Sequence, residues 1–157
     1  LPCRWNPATV KPVLWSNPTE KLLTNWIRGS RKYSWLEWCS WADNDSVSFT
    51  IDLLKLEMLN TLILGCITNN GMAIHKPASV RVEVSDDNSK FREAVVQSFT
   101  SEEIFREGNF IENLSLKLGG TQARYVRVTA KGPGVCPASH VRPGQTSRIF
   151  FDEVMLE

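Results

Sequence analysis

The chain has 157 residues, 42% of them hydrophobic and 22% charged, with a formal net charge of +1. That length suits one domain with a sizeable core, and near-neutrality leaves no field to draw in nucleic acid or an anionic membrane. Its longest apolar runs, such as Leu62-Ile63-Leu64, fall far short of the ~20 residues a membrane-spanning helix needs.

Pro2, Pro7, Pro12 and Pro18 make residues 1–22 an extended arm, with a short strand near Val13-Leu14-Trp15. From Ser46 the chain alternates, with Val47, Phe49, Ile51 and Leu53 on one face and Ser48, Thr50 and Asp52 on the other. This predicts a half-buried strand. Leu59 to Ile67 predicts a second, ended by Thr68-Asn69-Asn70-Gly71. Val80, Val82 and Val84 alternate with Arg81 and Glu83, and Ser85 to Lys90 turns the chain. Strands follow at Glu93 to Phe99 and Phe110 to Leu118, then a tight turn at Gly119-Gly120 and a strand from Arg124 to Ala130. Gly132-Pro133-Gly134 opens a long loop, and Ile149 to Leu156 closes the chain as a strand. One modest helix is predicted over Ser101 to Glu107, with Ser101 as N-cap and Glu102-Glu103 in its first turn. About eight short strands with little helix predict an all-β antiparallel sandwich or barrel. Residues 1–157 form one domain on this reading, with the first and last strands paired.

The four cysteines, Cys3, Cys39, Cys66 and Cys136, form no C-x-x-C pair, so the common zinc and thioredoxin spacings are absent. They read as reduced structural thiols, Cys66 as a small buried hydrophobe. The alternative is a bridge from Cys3 to a later loop in an exported protein. Leu1 in place of an initiator Met leads us to expect a processed piece of a longer chain.

Trp35, Trp38 and Trp41 stand at strict spacing three, which puts their rings on one side of a helical turn. A W-x-x-W-x-x-W run resembles the thrombospondin type 1 repeat, but the cysteine-rich continuation of that repeat is missing. Trp35, flanked by charge, is expected to be exposed, and Trp41 is open between core and surface. A pyranose lays its axial C–H patch on an aromatic face, while its hydroxyls need directed polar groups. Trp35 and Trp41 are therefore candidate sugar platforms. Asn70 and His75 in the loop after the third strand, and His140 and Arg142 in the long last loop, are candidate polar partners.

Four segments in order carry a resemblance: Leu23-Thr24-Asn25-Trp26-Ile27-Arg28-Gly29-Ser30 followed by Trp38 and Phe49 to Leu53; Pro77 to Phe91; Arg124 to Pro137; and Phe150 to Glu157. Together these resemble a discoidin-like domain, also called factor V/VIII type C. The arrangement is most similar to the copies at the C-terminal end of bacterial chitobiases and β-N-acetylhexosaminidases of Bacteroides type. The resemblance implies an eight-stranded antiparallel jelly roll in which Trp38 is core. It implies a non-catalytic carbohydrate-binding module, exported to the periplasm or cell surface of a Gram-negative bacterium. Its partners would be an N-acetylhexosamine-containing glycan and an upstream catalytic domain. The family also implies a structural calcium, with Asn25, Ser30 and Glu153 at the matching positions. Asn25 stands where the family has an Asp, which should weaken such a site. Trp26 stands where the family has a Gly, in a turn that favours positive φ.

Catalysis by this chain is not expected. Its acids lie at turns (Asp43, Asp45, Asp86, Asp87) or polar strand positions (Glu83, Glu112), and no motif joins two carboxylates as a glycosidase requires. No G-x-S-x-G or H-E-x-x-H occurs. The competing reading is a structural brace that packs on a catalytic domain and binds no sugar.

Overall fold

The computed structural model describes residues 4–6, 22–24, 26–32, 37–42 and 46–157. The strand expected near Val13-Leu14-Trp15 lies outside them, as do Asn25 and Trp35. The described residues form seven strands: β1 (Arg4–Asn6), β2 (Cys39–Ala42), β3 (Ser46–Asn69), β4 (Ser79–Ser85), β5 (Arg92–Ser98), β6 (Asn109–Lys131) and β7 (Arg148–Leu156). All pairings are antiparallel, in the order β2-β7-β3-β6-β4-β5, with β1 added on β3. The all-β jelly-roll class is as expected. The closing strand pairs with β2, and the N-terminal strand pairs with β3.

The strand count differs for a local reason. The two strands expected over residues 46–53 and 59–67 are one 24-residue strand, β3, and those over 110–118 and 124–130 are one 23-residue strand, β6. Gly119 and Gly120 therefore do not make a hairpin turn. Their positive φ values, 67° and 75°, bend a strand that continues. The facing strand slips register between Asp52 and Glu57 and again between Leu59 and Thr61. There Leu54 takes φ 69°, and its N–H donates to Asp52 Oδ1 at 2.8 Å. Such irregularities bend a ribbon without ending its ladder.

The bend makes two layers from one ribbon. The first half of β3 pairs with the second half of β6, which pairs with β4. The second half of β3 pairs with the first half of β6 on one side and with β7 on the other. One core cluster joins Val47, Phe49 and Ile51 of one layer to Leu62, Leu64 and Phe151 of the other. Ser46 and Asn69 consequently meet at the same end of the roll. Ala78 N–H donates to Lys131 O and His75 N–H to Arg148 O, so this end also gathers the loops before β4 and β7. The other end carries the bend, with Leu54, Leu56, Met58 and Trp26 exposed.

The helix is a single turn, α1 (Ser101–Ile104), and its N-cap is Thr100 rather than Ser101. Thr100 Oγ1 accepts from Glu103 N–H, and Glu103 Oε2 accepts from Thr100 N–H, closing a capping box. Those bonds hold the Glu103 carboxyl below its usual range.

Two glycines mark backbone contacts that admit no side chain. A Cβ on Gly29 would lie 2.1 Å from the Trp38 ring, and one on Gly65 would lie 1.9 Å from Asp152 Oδ1. Asp152 is fully buried and accepts from Arg28 Nε and Gly29 N–H, both at 2.8 Å. Gly65→Ala should therefore displace Asp152 or Arg28 and cost about 2 kcal/mol or more in urea unfolding. Gly71→Ala, where the nearest atom would be 3.4 Å away, should cost under about 1 kcal/mol. Equal effects of the two substitutions would contradict this.

Candidate functional site

Four of the six sequence-predicted sugar residues, Asn70, His75, His140 and Arg142, converge at the gathered end of the roll. Asn70 starts a 3₁₀ turn after β3, and its Oδ1 accepts from Gly108 N–H at 2.6 Å. Its Nδ2 lies 3.2 Å from His140 Nε2. His140 Nδ1 accepts from Arg142 N–H at 3.0 Å. Arg142 Nε donates to Gly71 O, and its Nη1 donates to Gln145 Oε1 at 3.4 Å. The His75 ring lies edge-on to those of Phe105 and His140, with centroids 5.0 and 4.9 Å away.

Their exposure differs from expectation. Asn70, His75 and His140 are buried at 7%, 0% and 8% exposure, while Arg142 is exposed. The three buried residues tie the loops together from behind, and Arg142 is the member that faces solvent. Trp41 is a correction. Its ring is 2% exposed and lies 5.7 Å from Phe151, because β2 pairs along β7 and turns that side chain into the core. A ring sealed there has no face for a pyranose. Trp38 is fully buried, as expected, and its Nε1 donates to Ser30 O at 3.0 Å. Trp35 lies outside the described residues.

Burial decides the titration of this cluster. His75 has its pKa pushed down to about 4, first by desolvation and then by the neighbouring His140. The Ile104 carbonyl counters this slightly, without accepting a hydrogen bond of normal geometry from either ring nitrogen. The third neighbour is Cys136, 3% exposed, with Sγ 3.4 Å from Ser147 Oγ. One ligand atom from each of His75, Cys136 and His140 lies within 4.8 Å of the others. Cys136-Pro137-Ala138-Ser139-His140 is a C-x₃-H spacing that a scan for paired cysteines passes over. Cys39, Cys66 and Cys136 are free and buried. Burial pushes the Cys39 thiol up to about 12 and raises that of Cys66 as well, which suits inert structural thiols.

The calcium residues lie elsewhere. Glu153 Oε2 accepts from Trp26 N–H at 2.8 Å, and Ser30 Oγ donates to Glu37 Oε2 at 2.6 Å. The Glu37 carboxyl is held below its usual range chiefly by that hydroxyl. The guanidinium of Arg28 pairs with Asp152, the residue before Glu153. Calcium needs six to eight oxygens, and among the described residues these donors serve N–H and O–H groups instead. The fit is poor, and Asn25 lies outside the described residues. Trp26 itself takes φ 65° with its side chain 71% exposed, so the indole occupies a glycine-type turn by pointing outward.

A sequence profile of the F5/8 type C domain matches residues 14–142, and the chain belongs to that family. No curated protein matches it. Among solved structures, it resembles CBM32-3 from a family 31 glycoside hydrolase of Clostridium perfringens, at TM-score 0.62 and 16% identity over 98% of this chain and 89% of that one. CpGH89CBM32-5 from C. perfringens, solved with GalNAc-β-1,3-galactose, gives TM-score 0.62 and 14% identity over 98% and 94%. The C-terminal domain of a Bacteroides fragilis chitobiase gives 0.56 and 16% over 98% and 93%. No described helix is long and apolar enough to cross a membrane.

Two measurements follow. An unfolded chain binds the His75 proton near pH 6.5, whereas the folded chain binds it near 4. Stability should therefore be full above about pH 6.5 and fall on acidification. Between about pH 7 and 5, above the carboxylate range, the urea midpoint should drop for the parent chain and drop less for His75→Gln. Trp26→Gly should stabilise the fold by up to about 1 kcal/mol, since a side chain at positive φ costs roughly 1–2 kcal/mol before glycine's added chain entropy is counted. A destabilised Trp26→Gly would mean that the indole makes a contact that outweighs its backbone strain.

Proposed function

We propose that the chain is a non-catalytic carbohydrate-binding module of an exported glycoside hydrolase, holding its glycan at the Arg142 end of the roll. The observation that carries this reading is the convergence of Asn70, His75, His140 and Arg142 from two separate loops. The buried three fix the loops, so Arg142 is presented without paying much ordering entropy on binding. The family and the likeness to modules of glycoside hydrolases support it. The finer reading is an N-acetylhexosamine-containing glycan and a chitobiase or β-N-acetylhexosaminidase as parent, supported by the likeness to the B. fragilis domain. Trp35 is the proposed platform, with Arg142 supplying charge-assisted hydrogen bonds to hydroxyl oxygens.

A second reading has a specific observation in its favour. Leu54, Leu56, Met58 and Trp26 are 43–71% exposed at the bend end, which suits a brace seated on a catalytic domain. The two readings use opposite ends of the roll.

Calorimetric titration with N-acetylglucosamine, galactose and chito-oligosaccharides tests the first. A Kd of ~0.1–1 mM is expected, equivalent to about −4 to −5.5 kcal/mol. Arg142→Ala should weaken binding about tenfold, the loss of one hydrogen bond to a charged group, whereas Met58→Lys should leave it unchanged. No heat with any sugar favours the brace. Adding calcium to chelator-treated protein should leave the thermal midpoint unchanged. A clear rise would mean that Asn25 and its neighbours complete a cage.

A further inference from the structure

We propose that His75, Cys136 and His140 form a site for a zinc-class divalent cation, which clamps the loop before β7 to the connection between β3 and β4. The donors are two imidazole nitrogens and one thiolate sulfur, a borderline-soft set that suits Zn²⁺ and excludes Ca²⁺ or Mg²⁺ as the resident ion. A solvent water would complete the tetrahedron.

Two independent observations point to a ligand. The first is proximity: one atom from each residue lies within 4.8 Å of the others, and all three side chains are buried. Tetrahedral zinc, with bonds of about 2.0–2.3 Å, needs ligand atoms about 3.3–3.6 Å apart. The widest pair must close by up to about 1.5 Å, which side-chain rotation within loops can supply. The second is unmet demand. His75 is fully buried, yet among the described residues neither Nδ1 nor Nε2 makes a hydrogen bond of normal geometry, the Ile104 carbonyl giving only a weak polar contact. Buried polar groups without partners are rare and costly, and one explanation is an ion.

His140 adds a mismatch. Its Nδ1 takes the Arg142 N–H and its Nε2 faces the Asn70 amide nitrogen, whose Oδ1 is committed to Gly108. A neutral imidazole has one lone pair and can accept from only one of these donors. Coordination through Nε2 would place the ring hydrogen on Nδ1 and give up the hydrogen bond from Arg142 N–H, one ordinary bond against a metal–ligand bond. Binding also deprotonates Cys136, with the Sγ proton released to solvent. The clamp would set the backbone two residues before Arg142. It is separate from Glu153, which lies toward the far end of β7 from Arg148.

The test uses the full chain, stripped of metal and kept reduced with a phosphine, titrated with Co²⁺ and then Zn²⁺. One equivalent of Co²⁺ should give tetrahedral ligand-field bands with a thiolate-to-cobalt charge-transfer band. Zn²⁺ should displace it and raise the thermal midpoint. Cys136→Ser should abolish the charge-transfer band and His75→Gln should weaken binding at least tenfold, whereas Cys3→Ser should retain both. Sugar titration with and without zinc runs in parallel, so a chain that binds metal but no sugar, or the reverse, separates this inference from the proposed function. Absence of a thiolate-to-cobalt band in the parent chain overturns the proposal even where a variant fails to fold. So does stoichiometric binding that survives both Cys136→Ser and His75→Gln.

Discussion

The Arg28–Asp152 pair is the constraint around which the rest of this roll is set. Asp152 sits in the closing strand with no exposure, so its charge needs partners within the fold. Arg28 Nε and Gly29 N–H supply them to a single oxygen, and Arg28 Nη2 reaches on to Asn113 Oδ1 at 2.7 Å. That fixes residues 26–30 against β6 and β7 together. Gly29 then lies on the Trp38 ring, Trp38 Nε1 reaches Ser30 O, and Gly65 lets the carboxylate approach the β3 backbone. Arg28 is partly exposed, so the pair's value lies less in coulombic attraction, which water screens, than in satisfying a carboxylate that would otherwise be stranded.

One bent ribbon gives the molecule two unlike ends. The ladder between β3 and β6 continues through the bend, so no loop is spent on joining the layers there. The turning residues, Leu54 to Met58, face outward because the strand twists away from the core. At the other end the connections are longer, and they are held by isolated backbone bridges, such as Ile74 with Arg148, together with side-chain bonds. Lys76 illustrates the difference. It is buried at 6% exposure beside the histidine cluster, bonds Glu112 Oε2 at 3.1 Å and lies 4.9 Å from the Phe99 ring centre. The residues proposed to bind fall on that end, where rigid layers position loops more cheaply than they can reshape themselves.

The fold was legible where periodicity was strong. Val47 to Leu53 and Val80 to Val84 alternate in the structure as their residues demand. Gly119-Gly120 misled because glycine's positive φ serves a bend within a strand as well as a hairpin between two, and the pair alone does not distinguish them. The helix cap moved by one residue because Thr100, with Glu103 three places on, makes the reciprocal box that Ser101 cannot. At the candidate site, the meeting of the two loops was legible and the burial of their residues was not. The loops after β3 and before β7 do meet, but nothing beside Lys76-Pro77 marks His75 as buried until the α1 turn is seen to place Phe105 against its ring. Trp41 could be settled only by knowing which strand β2 would join.

The burial of these residues bears on how a sugar would be held on the proposed reading. A residue that touches sugar must be exposed in the free state, and an exposed arginine on a loose loop loses much of its binding free energy to ordering. Here the ordering is done in advance by side chains that never reach solvent. His140 Nδ1 holds the Arg142 backbone, Asn70 Oδ1 holds Gly108 and its amide nitrogen lies against the His140 ring, and Gly71 O holds the guanidinium. A scan that ranks residues by polarity alone would assign all of them to the ligand. On the proposed reading the network divides the work: the buried members set position, and the exposed Arg142 is left to make contact. It follows that changes at Asn70 or His140 should act on affinity only through Arg142, and should be nearly silent once Arg142 is removed. A double-mutant cycle between Arg142→Ala and Asn70→Ser reads that coupling directly.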